Sequence, residues 1–149
     1  MKTIFFSLKI LLIYFIFVTA GFSTKSQNFE KGKVLFEKKK FEESKFFFEK
    51  DIVYNPKNEN SYLFLAKIYN KSENEEAEEI NLNNVLLLNP QNDEAIYMLS
   101  LLKIKQSDYN GAKNLIKQFS LICKNFCSKK EEMEEKFNKL TPENEADNN

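Results

Sequence analysis

The stretch VYNPKNEN at residues 53–60 returns thirty-four residues later as LLNPQNDE at residues 87–94. In each copy an apolar run ends at Asn-Pro, where proline opposes the continuation of a helix. Asn58 or Asn92 follows two residues after the proline and is the expected N-cap of the next helix. A period of this length is typical of a helix-turn-helix solenoid, an architecture that builds extended binding surfaces.

Apolar residues recur at helical spacing on both sides of the two stretches, and they predict an all-α protein with one compact unit. The expected layout has a linker at 21–27, helix pairs at about 25–58, 59–92 and 93–124, a capping helix at 128–140 and a disordered polar tail at 141–149. The capping helix carries only a narrow apolar stripe, as the end of a solenoid requires, since one of its faces stays in water.

The N-terminus predicts export. Lys2 precedes an apolar stretch from Ile4 to Val18 that only Lys9 interrupts, and small residues follow up to Ser23. This order is typical of a signal peptide, with cleavage expected after Ala20 or, as a second choice, after Ser23. The chain is therefore expected to be periplasmic or secreted.

An uncleaved anchor is the alternative for the same segment. Residues 10–22 are uninterrupted but short of the roughly 20 residues that span a bilayer. Snorkelling of Lys9 would extend the span, so that residues 4–22 hold the protein to the inner membrane. Both readings place the rest of the chain outside the cytoplasm.

Composition argues against several function classes. The 149 residues contain 22 basic and 22 acidic residues, and the basic ones are all lysine. This balance, together with the export signal, disfavours binding to nucleic acid. Histidine is absent, so imidazole catalysis and histidine ligation of metal are excluded. With no nucleophile triad, phosphate loop or paired-carboxylate motif, we expect no catalytic residues, no cofactor and no metal site.

The repeat resembles that of the tetratricopeptide repeat (TPR) family, whose unit is two antiparallel helices. That unit has small residues and an aromatic at set places and a proline at its closing turn. The matching residues here are Gly32, Phe41, Ser44, Phe48 and Pro56 in the first unit; Tyr62, Leu65, Ala66, Tyr69, Leu82, Val85 and Pro90 in the second; and Ile96, Leu99, Ser100, Tyr109, Ala112, Ile116 and Phe119 in the third. The resemblance covers residues 25–124 and implies a right-handed α-solenoid of about three repeats.

Some positions depart from the family pattern. Glu75 and Glu78 occupy the aromatic and small positions of the second unit, so its second helix is expected to start late or to pack loosely. Asp51 replaces a small apolar residue and is expected to weaken its repeat. Lys124 stands where the third unit would have its proline, and this marks the end of the array.

The resemblance also implies a concave groove lined by the first helix of each pair. Its groove positions are Phe29, Lys33, Phe36, Leu63, Lys67, Asn70, Tyr97, Leu101 and Ile104. This lining suits an apolar or amphipathic segment of a partner, with Lys33 and Lys67 pairing with its acidic groups. The carboxylate clamp of one subgroup is absent, since Phe29, Phe64 and Met98 stand at several of its positions. Alternatively, the closing helix or a second copy of the chain covers these side chains.

Cys123 and Cys127 lie at the end of the last repeat. In an oxidising compartment we expect a disulfide that pins the cap to the repeat. If one helix ran unbroken through both residues, the geometry would be strained and the thiols would stay reduced and buried.

Together these observations predict a non-catalytic exported adaptor that binds a peptide or helix of another envelope protein. The first alternative is a structural subunit or homo-oligomer of a membrane-anchored assembly complex. The second is an enzyme whose site is not recognisable in the sequence.

Overall fold

The computed structural model describes residues 26–140. The predicted signal peptide or anchor, most of the predicted linker and the predicted tail lie outside the described residues. The described chain is all α-helical apart from one short 3₁₀ turn, which confirms the predicted fold class. Its helices are α1 Gln27–Glu37, α2 Phe41–Tyr54, α3 Glu59–Lys71, α4 Glu75–Leu88, α5 Asp93–Lys105, α6 Tyr109–Ile122 and α7 Lys130–Leu140.

The helices form three pairs, and α7 closes the last one. The most extensive packing is between α1 and α2, between α3 and α4, and between α5 and α6, while α7 packs on α5 and α6. Within the described residues, no helix is both long and apolar enough to cross a membrane.

The two Asn-Pro stretches end their helices as predicted. Helix α2 ends at Tyr54 and α4 at Leu88, and Asn58 and Asn92 are the N-cap residues of the helices that follow. The Asn92 side chain accepts a hydrogen bond from the Ala95 amide at 2.9 Å. The Asn58 side chain makes no such bond. Its amide group donates instead to the buried carboxylate of Asp51 at 2.7 Å.

The small residues that carry the resemblance lie where helices approach most closely. Ala66 and Ser100 are fully buried, and Gly32 is buried in α1. A Cβ atom on Gly32 would stand 2.8 Å from the Phe48 ring of α2, too close for a carbon contact. Glycine therefore lets the first pair pack around the Phe48 ring.

The core consists of three clusters that follow the helix pairs. Phe48, Leu65 and Ile68 form the first, and Met133 of α7 completes the third against Ile96 and Phe119. The second is the central cluster, which joins α3, α4 and α5. Met133 has no exposed surface, so the capping helix supplies the hydrophobic cover that a fourth repeat would otherwise provide.

Two predicted weak points are buried, hydrogen-bonded parts of the packing. Helix α4 begins at Glu75, so it does not start late, and Glu78 is only 2% exposed. Glu78 tolerates this burial because the Asn70 side-chain amide donates a hydrogen bond to it at 3.0 Å. Asp51 is fully buried and links the first pair to the second through hydrogen bonds.

The turn inside each pair has a feature that the sequence analysis did not predict. Lys39, Glu73 and Ser107 have φ angles of 59°, 57° and 60°, and each lies thirty-four residues from the next. This left-handed conformation favours glycine, and side chains with a Cβ adopt it at a cost. The same backbone turn is therefore made three times by residues that do not favour it.

Candidate partner-binding face

The aromatic positions at the start of the predicted groove pack against one another. Phe29 and Phe36 both contact the Phe64 ring, with ring centroids 5.8 Å and 5.0 Å apart. Between them Lys33 is exposed and forms no ion pair with another described residue. This part of the face is a half-buried aromatic surface with a single available cation.

Leu63 and Ile104 differ from the prediction. Each is only 5% exposed, and Leu63 belongs to the central core cluster with Leu82 and Leu99. Burial of these side chains stabilises the fold, and it leaves them little surface for a partner. Leu63 and Ile104 are therefore core residues, whereas the equivalent residues of the other repeats stay half-buried or exposed.

Lys67 is already paired within the chain. Its Nζ atom lies 2.7 Å from a carboxylate oxygen of Glu94, on the next first helix, and 5.0 Å from the centroid of the Phe64 ring. The predicted pairing of Lys67 with an acidic residue of a partner would require this bridge to open. Lys33 remains the groove lysine that is available without rearrangement.

Tyr97 is covered by the closing helix, one of the two coverings considered from the sequence. Its hydroxyl donates a hydrogen bond to Glu132 at 3.0 Å, and the Lys129 ammonium lies 5.8 Å from its ring centroid. Hydrogen bonds from Lys129, Lys136 and Tyr97 lower the pKa of Glu132 to about 2. Burial, reinforced by Glu132, raises the pKa of Tyr97.

Three of the predicted residues surround a pocket of about 280 Å³ between α3, α4 and α5. Asn70, Tyr97 and Leu101 contribute to its wall, and Met98 and Leu102 add apolar surface. The charged groups at this pocket, hereafter the inter-repeat pocket, are Glu78 and Lys105.

The two charged groups of the inter-repeat pocket have different environments. Burial raises the pKa of Glu78, against the opposing effects of the Asn70 hydrogen bond and the Lys105 charge. The Lys105 ammonium is more than half exposed and lies 2.7 Å from a Glu75 carboxylate oxygen. A negative charge entering the pocket would therefore meet Lys105 at the rim and Glu78 at the wall.

Sequence reasoning missed four residues of this pocket, one of which is Leu102, next to Leu101 in the sequence. Met98 and Lys105 lie three residues before and four residues after Leu101, so helical spacing places them on the same side of α5. That signal was available in the sequence. Glu78 belongs to a second helix, and no local pattern marks it as part of the site.

The two cysteines are joined by a disulfide across the loop between α6 and the capping helix, with Cα atoms 5.2 Å apart. Because α6 ends at Ile122, the helix does not run through both cysteines. Within the loop, the backbone amides of Lys124, Asn125 and Phe126 all donate to one carboxylate oxygen of Asp93, at 2.6 to 3.1 Å. The loop is therefore held at both ends by the disulfide and at its centre by the first residue of α5.

No group of three or more potential metal-ligating side chains occurs within residues 26–140. The face consists of apolar surface, the unpaired Lys33, the exposed Lys105–Glu75 ion pair and the buried Glu78 carboxylate. Such a surface can recognise the side chains and charges of another molecule.

The fold and this face define a TPR-like helical repeat domain. The first TPR of Spaghetti (RPAP3), bound to the HSP90 peptide SRMEEVD, is similar over 80% of this chain and 98% of that one, with 19% identity and a TM-score of 0.69. The Sgt2 TPR domain from Aspergillus fumigatus is similar over 76% of this chain and 78% of that one, with 16% identity and a TM-score of 0.63.

A chain of the CopN–Scc3 complex is similar over 76% of this chain and 67% of that one, with 13% identity and a TM-score of 0.62. At these identities the likeness concerns the fold. Neither a family model nor a curated protein matches the sequence. The RPAP3 structure is bound to a peptide, so this fold supports protein–peptide interaction in that protein.

Proposed function

We propose that the protein is an exported, non-catalytic adaptor that binds a peptide or helix of another envelope protein. The inter-repeat pocket is the observation that carries the proposal. It is an apolar hollow between two repeats, with a largely exposed lysine at its rim, on the face that the resemblance assigns to ligands.

The pocket has the size and chemistry to take one large apolar side chain of an extended or helical segment. Met98, Leu101 and Leu102 would contact that side chain. Lys105, whose bridge to Glu75 is more exposed than that of Lys67 to Glu94, would exchange Glu75 for an acidic group of the partner. Lys33 offers a second contact for an acidic group. The closing helix already covers Tyr97, so the partner binds beside α7 and does not displace it.

Two observations support export. Residues 1–23 have the order of a signal peptide, although they lie outside the described residues. A disulfide between Cys123 and Cys127 is the form expected in an oxidising compartment. N-terminal sequencing of the exported protein tests this part of the proposal, and an intact Met1 in the membrane fraction would support the anchored alternative.

The binding site is tested by crosslinking and affinity capture from a detergent-solubilised extract of the cell envelope. Lys105→Glu and Leu101→Ala should each reduce capture of the partner at least tenfold, because one reverses a rim charge and the other empties part of the pocket wall. Ile80→Asp is the matched control, since Ile80 is exposed on α4 and does not line the pocket.

Thermal unfolding of each variant separates binding from folding. Lys105→Glu breaks the exposed pair with Glu75 and removes a positive charge near Glu78, so it should lower the melting temperature by a few degrees without unfolding the protein. Equal capture by the wild type and by both pocket variants would refute the site.

A further inference from the structure

The outer faces of the second helices carry apolar residues that repeat with the period of the fold. Val53 on α2, Leu87 on α4 and Leu121 on α6 are 75%, 80% and 79% exposed, and each lies thirty-four residues from the next. Because they occupy the same place in successive repeats, they form one row near the C-terminal ends of the three helices. We call these three residues the outer row.

Exposed lysines lie at the two ends of the outer row. Lys50 and Lys57 flank Val53, and Lys117 and Lys124 flank Leu121. None of the four forms a salt bridge with another described residue, although many other lysines of the chain do. This edge of the molecule therefore combines protruding aliphatic side chains with lysines that form no salt bridge within the described residues.

Acidic groups near this edge are buried or engaged. Asp51 is the only acidic residue in the ranges 50–58, 80–92 and 113–128, and it is fully buried. Beyond these ranges, Glu49, one turn before Val53, accepts a hydrogen bond from Tyr69, Glu59 accepts one from Asn89, and Glu94 is paired with Lys67. The positive charge of the edge is thus available to a negatively charged surface.

We propose that the outer row docks on a lipid bilayer that contains anionic headgroups. Single aliphatic side chains that protrude from the protein suit a fluid apolar phase, into which each can insert separately. The lysines beside them suit lipid phosphates, and the exposed Tyr54 next to Val53 is a residue type favoured at the headgroup level.

Two other occupants fit the edge less well. A second copy of the chain would place the same lysines against one another across a two-fold axis, with no acidic group to neutralise them. A folded protein partner would need hollows that match the protruding side chains. A second hollow of about 380 Å³ lies beside Lys124 and is lined by Glu59, Asp93 and Glu94, but neither it nor the inter-repeat pocket includes a residue of the outer row. Charge complementarity therefore favours the anionic membrane.

The test uses tryptophan as a local reporter in the full chain, which has no tryptophan of its own. Leu87→Trp places the reporter in the outer row. Glu76→Trp is the matched control, since Glu76 lies on the same helix eleven residues earlier, roughly 16 Å away along its axis and on nearly the same side. Local reporting is needed because the apolar N-terminal stretch could bring the protein to vesicles by itself.

On addition of phosphatidylcholine vesicles that contain phosphatidylglycerol, the emission of Leu87→Trp should shift to shorter wavelength. Lipids brominated on their acyl chains should quench it, while Glu76→Trp stays unquenched. In the Leu87→Trp background, Lys50→Gln, Lys117→Gln and Lys124→Gln together should weaken this local docking about a hundredfold, since each lysine near an anionic surface contributes about fivefold.

Several results would overturn the proposal. These are no quenching of Leu87→Trp, equal quenching at both positions, or equal quenching by phosphatidylcholine alone. A shift that depends on protein concentration without vesicles would indicate a second copy. A shift caused by lipid-free envelope extract but not by vesicles would indicate a protein partner. None of these outcomes bears on the inter-repeat pocket, whose test uses other residues.

Discussion

The Ser61 hydroxyl of α3 donates a hydrogen bond to the Asp51 carboxylate of α2 at 2.5 Å. The side-chain amides of Asn55 and Asn58 donate to the same carboxylate at 3.1 Å and 2.7 Å. Burial by itself would raise the pKa of Asp51, but these bonds, together with one from Ser26, outweigh it and lower the pKa. A buried charge thus connects the first helix pair to the second without a cationic partner among residues 26–140.

We expect Asp51→Val, which introduces the residue found at the same place in the second repeat, to destabilise the protein by about 3 kcal/mol. The loss arises because Ser61 and Asn58 would keep buried donors without an acceptor. Urea unfolding at neutral pH measures it, with Asp51→Asn as the isosteric control.

The pH dependence of this contribution has a definite sign. Because the folded pKa of Asp51 is below its ordinary value of 3.8, the stability that the charge provides is fully present above about pH 4. It disappears as the pH falls through the folded pKa. If the unfolding free energies of wild type and Asp51→Asn still differ at a pH where Asp51 is fully protonated, the charge of Asp51 is not the cause of the difference.

Reduction of the disulfide should loosen the capping helix first. Closing a loop of this size contributes about 2 kcal/mol in the chain-entropy model, so Cys123→Ser with Cys127→Ser should lower the unfolding free energy by about that amount. Hydrogen exchange should show the largest increase within α7, which contains Met133. Asp93→Asn should have the same local effect with the disulfide intact, because it weakens the bonds to the loop amides.

Replacing the left-handed turn residues by glycine should stabilise the fold. Lys39→Gly, Glu73→Gly and Ser107→Gly should each raise the unfolding free energy by about 0.5 to 1 kcal/mol, since glycine adopts positive φ without a Cβ clash. Lys38→Gly is the control, because Lys38 has φ −79° and glycine there only adds disorder to the unfolded chain. If thermal unfolding shows that all four variants are less stable than the wild type, the prediction is refuted.

Glu78→Gln should stabilise the protein at neutral pH. Burial raises the folded pKa of Glu78 above its ordinary value of 4.5, so the charged form is disfavoured in the folded state. The relative stability that Glu78 contributes is present below about pH 4.5 and is lost as the pH rises through the folded pKa. The advantage of Glu78→Gln over wild type should therefore vanish in acid, which unfolding curves across this pH range would show.

The repeat could be predicted because its signals are local. An Asn-Pro pair ends a helix through the geometry of the proline ring and of the residue before it. The packing position of Gly32 also followed, since the period aligned it with Ala66 and Ser100. The groove positions of the family predicted the exposure of side chains in this chain less well. Leu63 and Ile104 belong to the core here, and Lys67 is already neutralised by Glu94.

By itself, the sequence determined the helix pairs, their period and the point at which repetition stops, because turn chemistry and apolar spacing act over a few residues. Only the tertiary structure decided which side chains this face exposes. The Tyr97 hydroxyl reaches Glu132, thirty-five residues away, and the inter-repeat pocket joins Asn70 and Glu78 to α5. Such contacts depend on how helices cross, and no short stretch of sequence encodes a crossing.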